Sequence, residues 1–185
     1  MLSAVIATHE SERTLVPTLS VLVPAVATGL LREVVVADAG SRDATAEVAE
    51  IAGCRFISSH EPLGVRLKAA AAATKTPWLM FLRAGTVPGS GWIPAAERFI
   101  QAADMLDEPR AAVFRPPGVA DMMRPGFAEI LAVLRVALGG GARPEQGLLI
   151  ARRFYTSLGG HEGGADAEGA LLRKLGRRRI TMLAA

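Results

Sequence analysis

The feature that most constrains the fold is a rhythm: over the first 105 residues, short apolar runs rich in β-branched residues alternate with longer segments of helical period. Ser3 to Thr8 (SAVIAT) is the first such run. Ser11 in the following HESERTL is placed to cap a helix extending to about Thr28, with Leu15, Leu19, Leu22 and Val26 turned inward at i, i+4, i+7 and i+11. Glu33 to Ala37 (EVVVA) reads as the second strand, and SRDATAEVAEIAG as a helix closed by Gly53. The pattern repeats with Arg55 to Ser58 as strand, Leu63 to Thr74 as an Ala-rich helix, Pro77 to Leu82 as strand and Trp92 to Met105 as helix. Strands joined through helices of this length predict right-handed crossovers and an α/β, doubly wound, mostly parallel sheet covered on both faces. In such sheets ligands bind beyond the carboxyl ends of the strands, so the residues just after each run are the first candidates for chemistry.

Beyond residue 105 the rhythm loosens. Ala111 to Arg115 and Gly147 to Ala151 read as strands, Pro125 to Leu138 as an amphipathic helix, and Asp166 to Leu175 as a last helix. RRFYTSLGGHEGG gives one helical turn and a Gly-rich loop, and Gly139 to Pro144 is the most linker-like stretch. The apolar face of Phe127, Ile130, Leu131 and Leu134 is expected to pack in the core, with cover for an acceptor or a partner subunit as the alternative. At 185 residues the chain fits one domain, 1–185.

Hydrophobic residues make up 50%, yet no uninterrupted stretch approaches the roughly 18 residues of a membrane span. The opening MLSAVIATHE reads as a first strand and not as a signal peptide, so a cytoplasmic protein is expected. The net charge of +3 and 5% aromatics speak against nucleic acid as a partner. Arg173, Lys174, Arg177, Arg178 and Arg179 are expected to form a solvated basic face on the last helix, with peripheral contact to anionic lipid as the alternative. Cys54, the one cysteine, has no disulfide partner and is expected to be a small buried residue. His9, His60 and His161 are isolated and are expected at the surface.

Several nucleotide and hydrolase motifs are excluded. The chain has no GxxxxGK[ST] loop, no GxGxxG after its first strand, and no GxSxG, HExxH or CxxC.

Four stretches together carry a resemblance. VIATHESERTL, EVVVADAGSRDATAEVAE, GVRLKAAAAATKTPWLMFL and EQGLLIARRFYTSLGGHEGG, with the LRKLGR ending, are similar to the family 2 glycosyltransferases of the GT-A fold, and in particular to a short single-domain branch. The resemblance implies a nucleotide-binding half at 1–105 and an acceptor-side half at 106–185. It implies transfer of a sugar from a nucleoside diphosphate sugar, a UDP sugar being favoured, to an acceptor that is left open between lipid-linked and carbohydrate. Reaction by single displacement with inversion follows from the same likeness. Homo-oligomer formation is an open alternative, and so is a non-catalytic nucleotide- or partner-binding protein that kept the nucleotide pocket or only the scaffold.

By the same resemblance Asp38 accepts a hydrogen bond from the base, Thr8 and Glu12 line the base and ribose pocket, and Ser41 belongs to the same loop. The alternative for Asp38 and Ser41 is a turn with a helix cap formed through Ser41 and Asp43. Gln146 and Gly147 keep the acceptor-side pattern, with Glu145 where relatives carry Asp.

Two departures stand out. Where relatives end the fourth strand with two acidic residues flanking one position, this chain has Arg83, Ala84 and Gly85, a degenerate form of that motif. Neither Ala nor Gly ligates a divalent ion, so Mg²⁺ or Mn²⁺ is not expected at the usual site and no cofactor is assigned. Arg83 is expected to face the diphosphate instead, joined by Arg66 and Lys68 from the preceding helix. The alternative is an arginine merely solvated at a decayed site. The second departure concerns the base. Counting back from Leu175 without gaps puts Gly164 and Ala165 where relatives have an acidic pair, and a small deletion brings in Asp166 or Glu168. Asp166 is the candidate catalytic carboxylate, with Glu162 in the adjoining loop as a substitute.

Overall fold

The computed structural model describes residues 1–115, 142–164 and 166–183. The expected helix over 125–138 with its apolar face of Phe127, Ile130, Leu131 and Leu134, the position Ala165, and residues 139–141 of the linker-like stretch lie outside the described residues.

The strands fall where the apolar runs are: β1 (Leu2–Thr8), β2 (Leu31–Asp38), β3 (Arg55–Ser58), β4 (Trp78–Arg83), β5 (Ala111–Phe114) and β6 (Leu148–Ala151). Between and after them come α1 (Glu12–Ala27), α2 (Thr45–Ile51), α3 (Leu63–Ala72), α4 (Trp92–Leu106), α5 (Arg152–Ser157) and α6 (Ala167–Leu175). A strand that periodicity misses, β7 (Ile180–Leu183), follows a 3-10 turn over Arg177–Arg179. The terminal arginines therefore stand in a turn, while only Arg173 and Lys174 of the basic run belong to the last helix, in α6.

The seven strands form one sheet in the order β3-β2-β1-β4-β6-β5-β7. The pairs β3/β2, β2/β1, β1/β4 and β5/β7 are parallel, and only β6 runs against its neighbours β4 and β5. β4 is buried from Trp78 to Leu82, as a strand covered on both faces should be. Two edge-to-face aromatic pairs, Trp78 with Phe99 and Trp92 with Phe114, lock α4 onto the sheet. Cys54 is half-buried, and burial pushes its thiol pKa up.

α1 corrects two expectations. Its inner stripe is Leu15, Thr18, Leu22 and Ala25, whereas Val26 is exposed. The polar Thr18 earns its inward place by accepting a hydrogen bond at 2.8 Å from the Gly85 amide, which ties the loop after β4 to α1. Ser11 makes no side-chain cap to α1; its hydroxyl is turned back to donate to the His9 carbonyl at 2.9 Å.

Register puts the candidate residues in a row. Thr8 is paired with Asp38, Asp38 with Ser58, and Ala7 with Arg83, so the carboxyl tips of β3, β2, β1 and β4 end side by side. Chain order doubles back between β1 and β4, the switch point at which an open α/β sheet leaves a crevice for ligands. Among the described residues no helix is long and apolar enough to cross a membrane.

Candidate functional site

On the β1/β2 side of the crevice, hydrogen bonds converge on Asp38, which is fully buried. Its Oδ1 accepts from the Thr8 hydroxyl at 2.9 Å and the Ser41 hydroxyl at 2.5 Å. Its Oδ2 accepts from the amides of Gly40 and Ser41, both at 2.7 Å, and from the Ser58 hydroxyl at 3.2 Å. Burial pushes the Asp38 carboxyl up, but these donors, Ser41 foremost, outweigh it and hold the pKa below the ordinary value. The lone pairs of Asp38 are thus committed to its own loop and to the tips of β1 and β3, and a base could reach the carboxylate only by displacing one of these donors.

The loops after β1 and β2 are laced together. Glu10 donates its amide to the Ser41 hydroxyl at 2.8 Å and accepts from the Arg42 amide at 2.9 Å. Glu12 donates its amide to Asp43 at 3.0 Å and accepts from the Ala44 amide at 3.2 Å. Asp43 also accepts from the Thr45 amide and hydroxyl, and the Thr45 hydroxyl holds its pKa down. Thr8, Glu12, Asp38 and Ser41 are therefore brought together, and Asp43, more than Ser41, organises the start of α2.

Arg66 joins this cluster from α3. Its Nη1 donates to the Ala37 carbonyl at 2.6 Å and its Nε to the Glu61 carbonyl at 3.1 Å. Burial lowers its pKa, while the charge of Asp38 opposes the shift. Lys68, two residues on, lies apart from the others: it lines a lateral groove with Val65, Ala69, Glu162 and Lys174.

The other side of the crevice is built by β4 and α6. Arg83, at the tip of β4, donates through Nε to Glu168 Oε2 at 2.8 Å and through Nη2 to the same oxygen. The Arg83 side chain is 43% exposed and that of Glu168 only 10%. The Glu168 hydrogen bond raises the Arg83 pKa against the effect of burial, and the charges of Glu145 and Asp166 act at longer range in the same sense. Ala84 and Gly85, next along the chain, offer no side-chain oxygen to a metal, and among the described residues no group of three or more His, Cys, Asp or Glu side chains is placed to hold one.

Glu168 is inward for a readable reason. Ala167, Glu168, Leu171 and Leu175 are the buried stripe of α6, and Glu168 occupies a core-facing position of that stripe in the first turn of the helix. Asp166 precedes the helix and points outward, paired with Arg173 at 2.7 Å, which lowers its pKa. Glu162 is likewise exposed and bonded to Lys174 at 2.5 Å, with its pKa lowered by that bond. Neither of the two carboxylates expected from sequence faces Arg83 as a direct partner; Glu168 does.

Gln146 is buried, and its Oε1 accepts from the Arg143 amide at 2.7 Å, closing the 3-10 turn over Pro144–Gln146. Gly147 has φ +72°, and a Cβ there would stand 2.6 Å from Leu82 Cδ2, so β6 can approach β4 this closely only with glycine. Behind this turn, Phe81, Arg143, Gly147, Leu148, His161 and Glu168 line a narrow cleft.

His161 overturns the expectation of a surface residue. It is buried, with Nδ1 2.9 Å from the Tyr155 hydroxyl, and its amide donates to that hydroxyl at 3.1 Å. A tyrosine oxygen that accepts the amide directs its own proton to Nδ1, an assignment that leaves the imidazole proton on Nε2. Burial pushes the His161 pKa down to about 4 and the Tyr155 pKa up to about 12. The sequence signal for this burial was slight: a histidine after two glycines, six residues beyond the one tyrosine.

The fold is that of the GT-A glycosyltransferases. Glucosyl-3-phosphoglycerate synthase from Mycobacterium tuberculosis, in complex with Mg²⁺ and UDP, is similar with a TM-score of 0.73 at 22% identity, over 100% of this chain and 69% of that one. The same enzyme with Mn²⁺, UDP and glucosyl-3-phosphoglycerate gives 0.71 at 23% identity, with the same shares covered. No protein of curated function matches the chain by sequence. The sequence profile described as glycosyl transferase family 2 matches residues 3–114, a span that holds both the Asp38 loop and Arg83. With the tips of β1 to β4 and the laced loops inside the matched span, the chain belongs to glycosyl transferase family 2.

Proposed function

We propose that the protein transfers a sugar from a nucleoside diphosphate sugar to an acceptor hydroxyl by single displacement with inversion, and that Arg83 faces the diphosphate where relatives use a divalent ion. Family membership supports the reaction class. The structurally similar Mycobacterium tuberculosis synthase is seen with UDP and with UDP-glucose, which makes a UDP sugar the first donor to try. The observation that carries the reading is the guanidinium at the tip of β4. It is partly exposed, and its Nη1 makes no hydrogen bond among the described residues. A guanidinium remains charged and binds phosphate through two parallel N–H groups, whereas a metal ion beside that cation would be repelled.

Thermal unfolding with UDP, UDP-glucose and GDP, each with Mn²⁺ or with EDTA, tests this through ligand linkage. The expected result is a rise in Tm with UDP that is equal in Mn²⁺ and EDTA and absent in Arg83→Ala. A rise that depends on Mn²⁺, or one that survives Arg83→Ala, defeats the metal-free reading.

One observation favours a second reading, a nucleotide-binding or partner-binding protein without turnover. Asp38 is saturated, and Arg83 is already paired with Glu168, with the charges of Glu145 and Asp166 acting on it at longer range. UDP binding without any release of glucose from UDP-glucose selects it.

A further inference from the structure

We propose that Arg83 is a shared positioning residue. Its Nε/Nη2 edge holds Glu168 as the proton acceptor for the incoming hydroxyl, while its Nη1 edge, without a hydrogen bond among the described residues, meets the departing diphosphate. The proposal rests on the glycosyl-transfer reading above.

The carboxylates near the crevice are not equivalent. Asp38 is saturated, and Asp166 and Glu162 are exposed and paired with Arg173 and Lys174. Glu145 is exposed on the 3-10 turn and acts on Arg83 only at longer range. Glu168 differs in both respects that matter. It is held inward by the apolar stripe of α6, and both bonds from Arg83 fall on Oε2. Oε1 has no hydrogen-bond partner among the described residues and is not sealed off, since the one buried side-chain oxygen without a hydrogen-bond partner among them is on Glu108. Glu168 itself lines the cleft with Phe81, Arg143, Gly147 and His161. That leaves one oxygen clamped and the other available.

The geometry suits a displacement. Oxygens bound to opposite edges of one guanidinium lie roughly 7 Å apart, two hydrogen bonds plus the width of the group. An anomeric carbon and an attacking oxygen fit in that interval. As the acceptor oxygen bonds to the anomeric carbon, its proton passes to Glu168 Oε1. The bond from that carbon to the diphosphate oxygen breaks, and the electron pair leaves on the diphosphate, whose added charge faces Nη1. The carboxylate ends as the acid, and the nucleoside diphosphate carries the extra negative charge. A lysine cannot substitute, because a point charge has no second edge.

The experiment uses UDP-glucose as donor, with water and then azide as nucleophile, on the wild type, Glu168→Gln, Glu168→Asp and Arg83→Lys, with Tm and UDP affinity measured for each. Azide carries no proton and needs no base. Glu168→Gln is expected to bind UDP within about 3-fold of wild type, to lose hydrolysis by about 100-fold or more, and to keep turnover with azide. Glu168→Asp, which keeps the charge on Arg83, controls for folding and retains partial hydrolysis. Arg83→Lys is expected to lose both reactions. Wild-type hydrolysis in Glu168→Gln, failure of azide to rescue a variant that still binds UDP, or loss of hydrolysis in Asp166→Asn but not in Glu168→Gln overturns the assignment. A wild type that binds UDP and turns over while Glu168→Gln is unimpaired defeats the shared-arginine proposal alone. A wild type that neither binds UDP nor hydrolyses UDP-glucose defeats the glycosyl-transfer reading, and this proposal with it.

Discussion

The two sides of the crevice are built on opposite plans. On the β1/β2 side a single carboxylate, Asp38, collects five donors from Thr8, Gly40, Ser41 and Ser58. On the β4/α6 side a single charge pair, Arg83 with Glu168, joins residues 85 positions apart. On the first side the carboxylate of Asp38 has no lone pair to spare, and its bonds fix the loops around it. The second is partly exposed and, among the described residues, leaves one edge of the guanidinium and one carboxylate oxygen without a hydrogen bond. Reactive capacity belongs where polar atoms are held in place but not consumed.

The sharpest way to break this contrast is Asp38→Ala. It leaves the Gly40 and Ser41 amides and the Thr8 hydroxyl without their acceptor, and is expected to cost about 3–5 kcal/mol in urea unfolding. A loss under about 1 kcal/mol would falsify the view of Asp38 as the structural knot.

The second test separates the two sides by pH. His161, behind the Arg83 side, has a folded pKa of about 4 against an ordinary 6.5, so the unfolded chain binds its proton first. Stability is then full above pH 6.5 and falls as pH drops toward 4, by on the order of 3 kcal/mol. Asp38, with its pKa held below the ordinary 3.8, contributes stability that is present above that value and is lost only at lower pH. The two sides should therefore loosen in successive windows. His161→Gln is expected to flatten the upper window and leave the lower one; an unchanged slope between pH 6.5 and 4 contradicts the buried neutral imidazole.

The smallest effect is expected from Arg83→Ala. The pair it breaks is partly exposed, so a loss of about 1 kcal/mol is expected, shrinking as salt is added to the wild-type reference. A loss as large as that of Asp38→Ala would mean that the Arg83 side is scaffold too.

Much of this was legible before any tertiary structure. Strand tips at Thr8, Asp38 and Arg83 follow from where apolar runs end, because a strand buried on both faces has to stop where polar side chains begin. The inner stripe of α1 was misread at Val26 because a periodic pattern cannot register that Thr18 is wanted inside to bind the Gly85 amide. β7 escaped notice because a four-residue strand behind three arginines has no periodicity to show. Of the two carboxylates that a small deletion brings in, the sequence reading took Asp166, while the spacing of Glu168, Leu171 and Leu175 marks Glu168 as the one on the inward face.

The amino-acid sequence by itself determined the alternation of strands and helices, the family, and the row of polar residues at the strand tips, since all of these follow from local patterning. The partnership of Arg83 with Glu168, the saturation of Asp38 and the burial of His161 were decided only by tertiary structure. Each depends on which side chains from distant segments meet within hydrogen-bond reach, and a direct contact of that kind forms only after the sheet and its covering helices have closed around it.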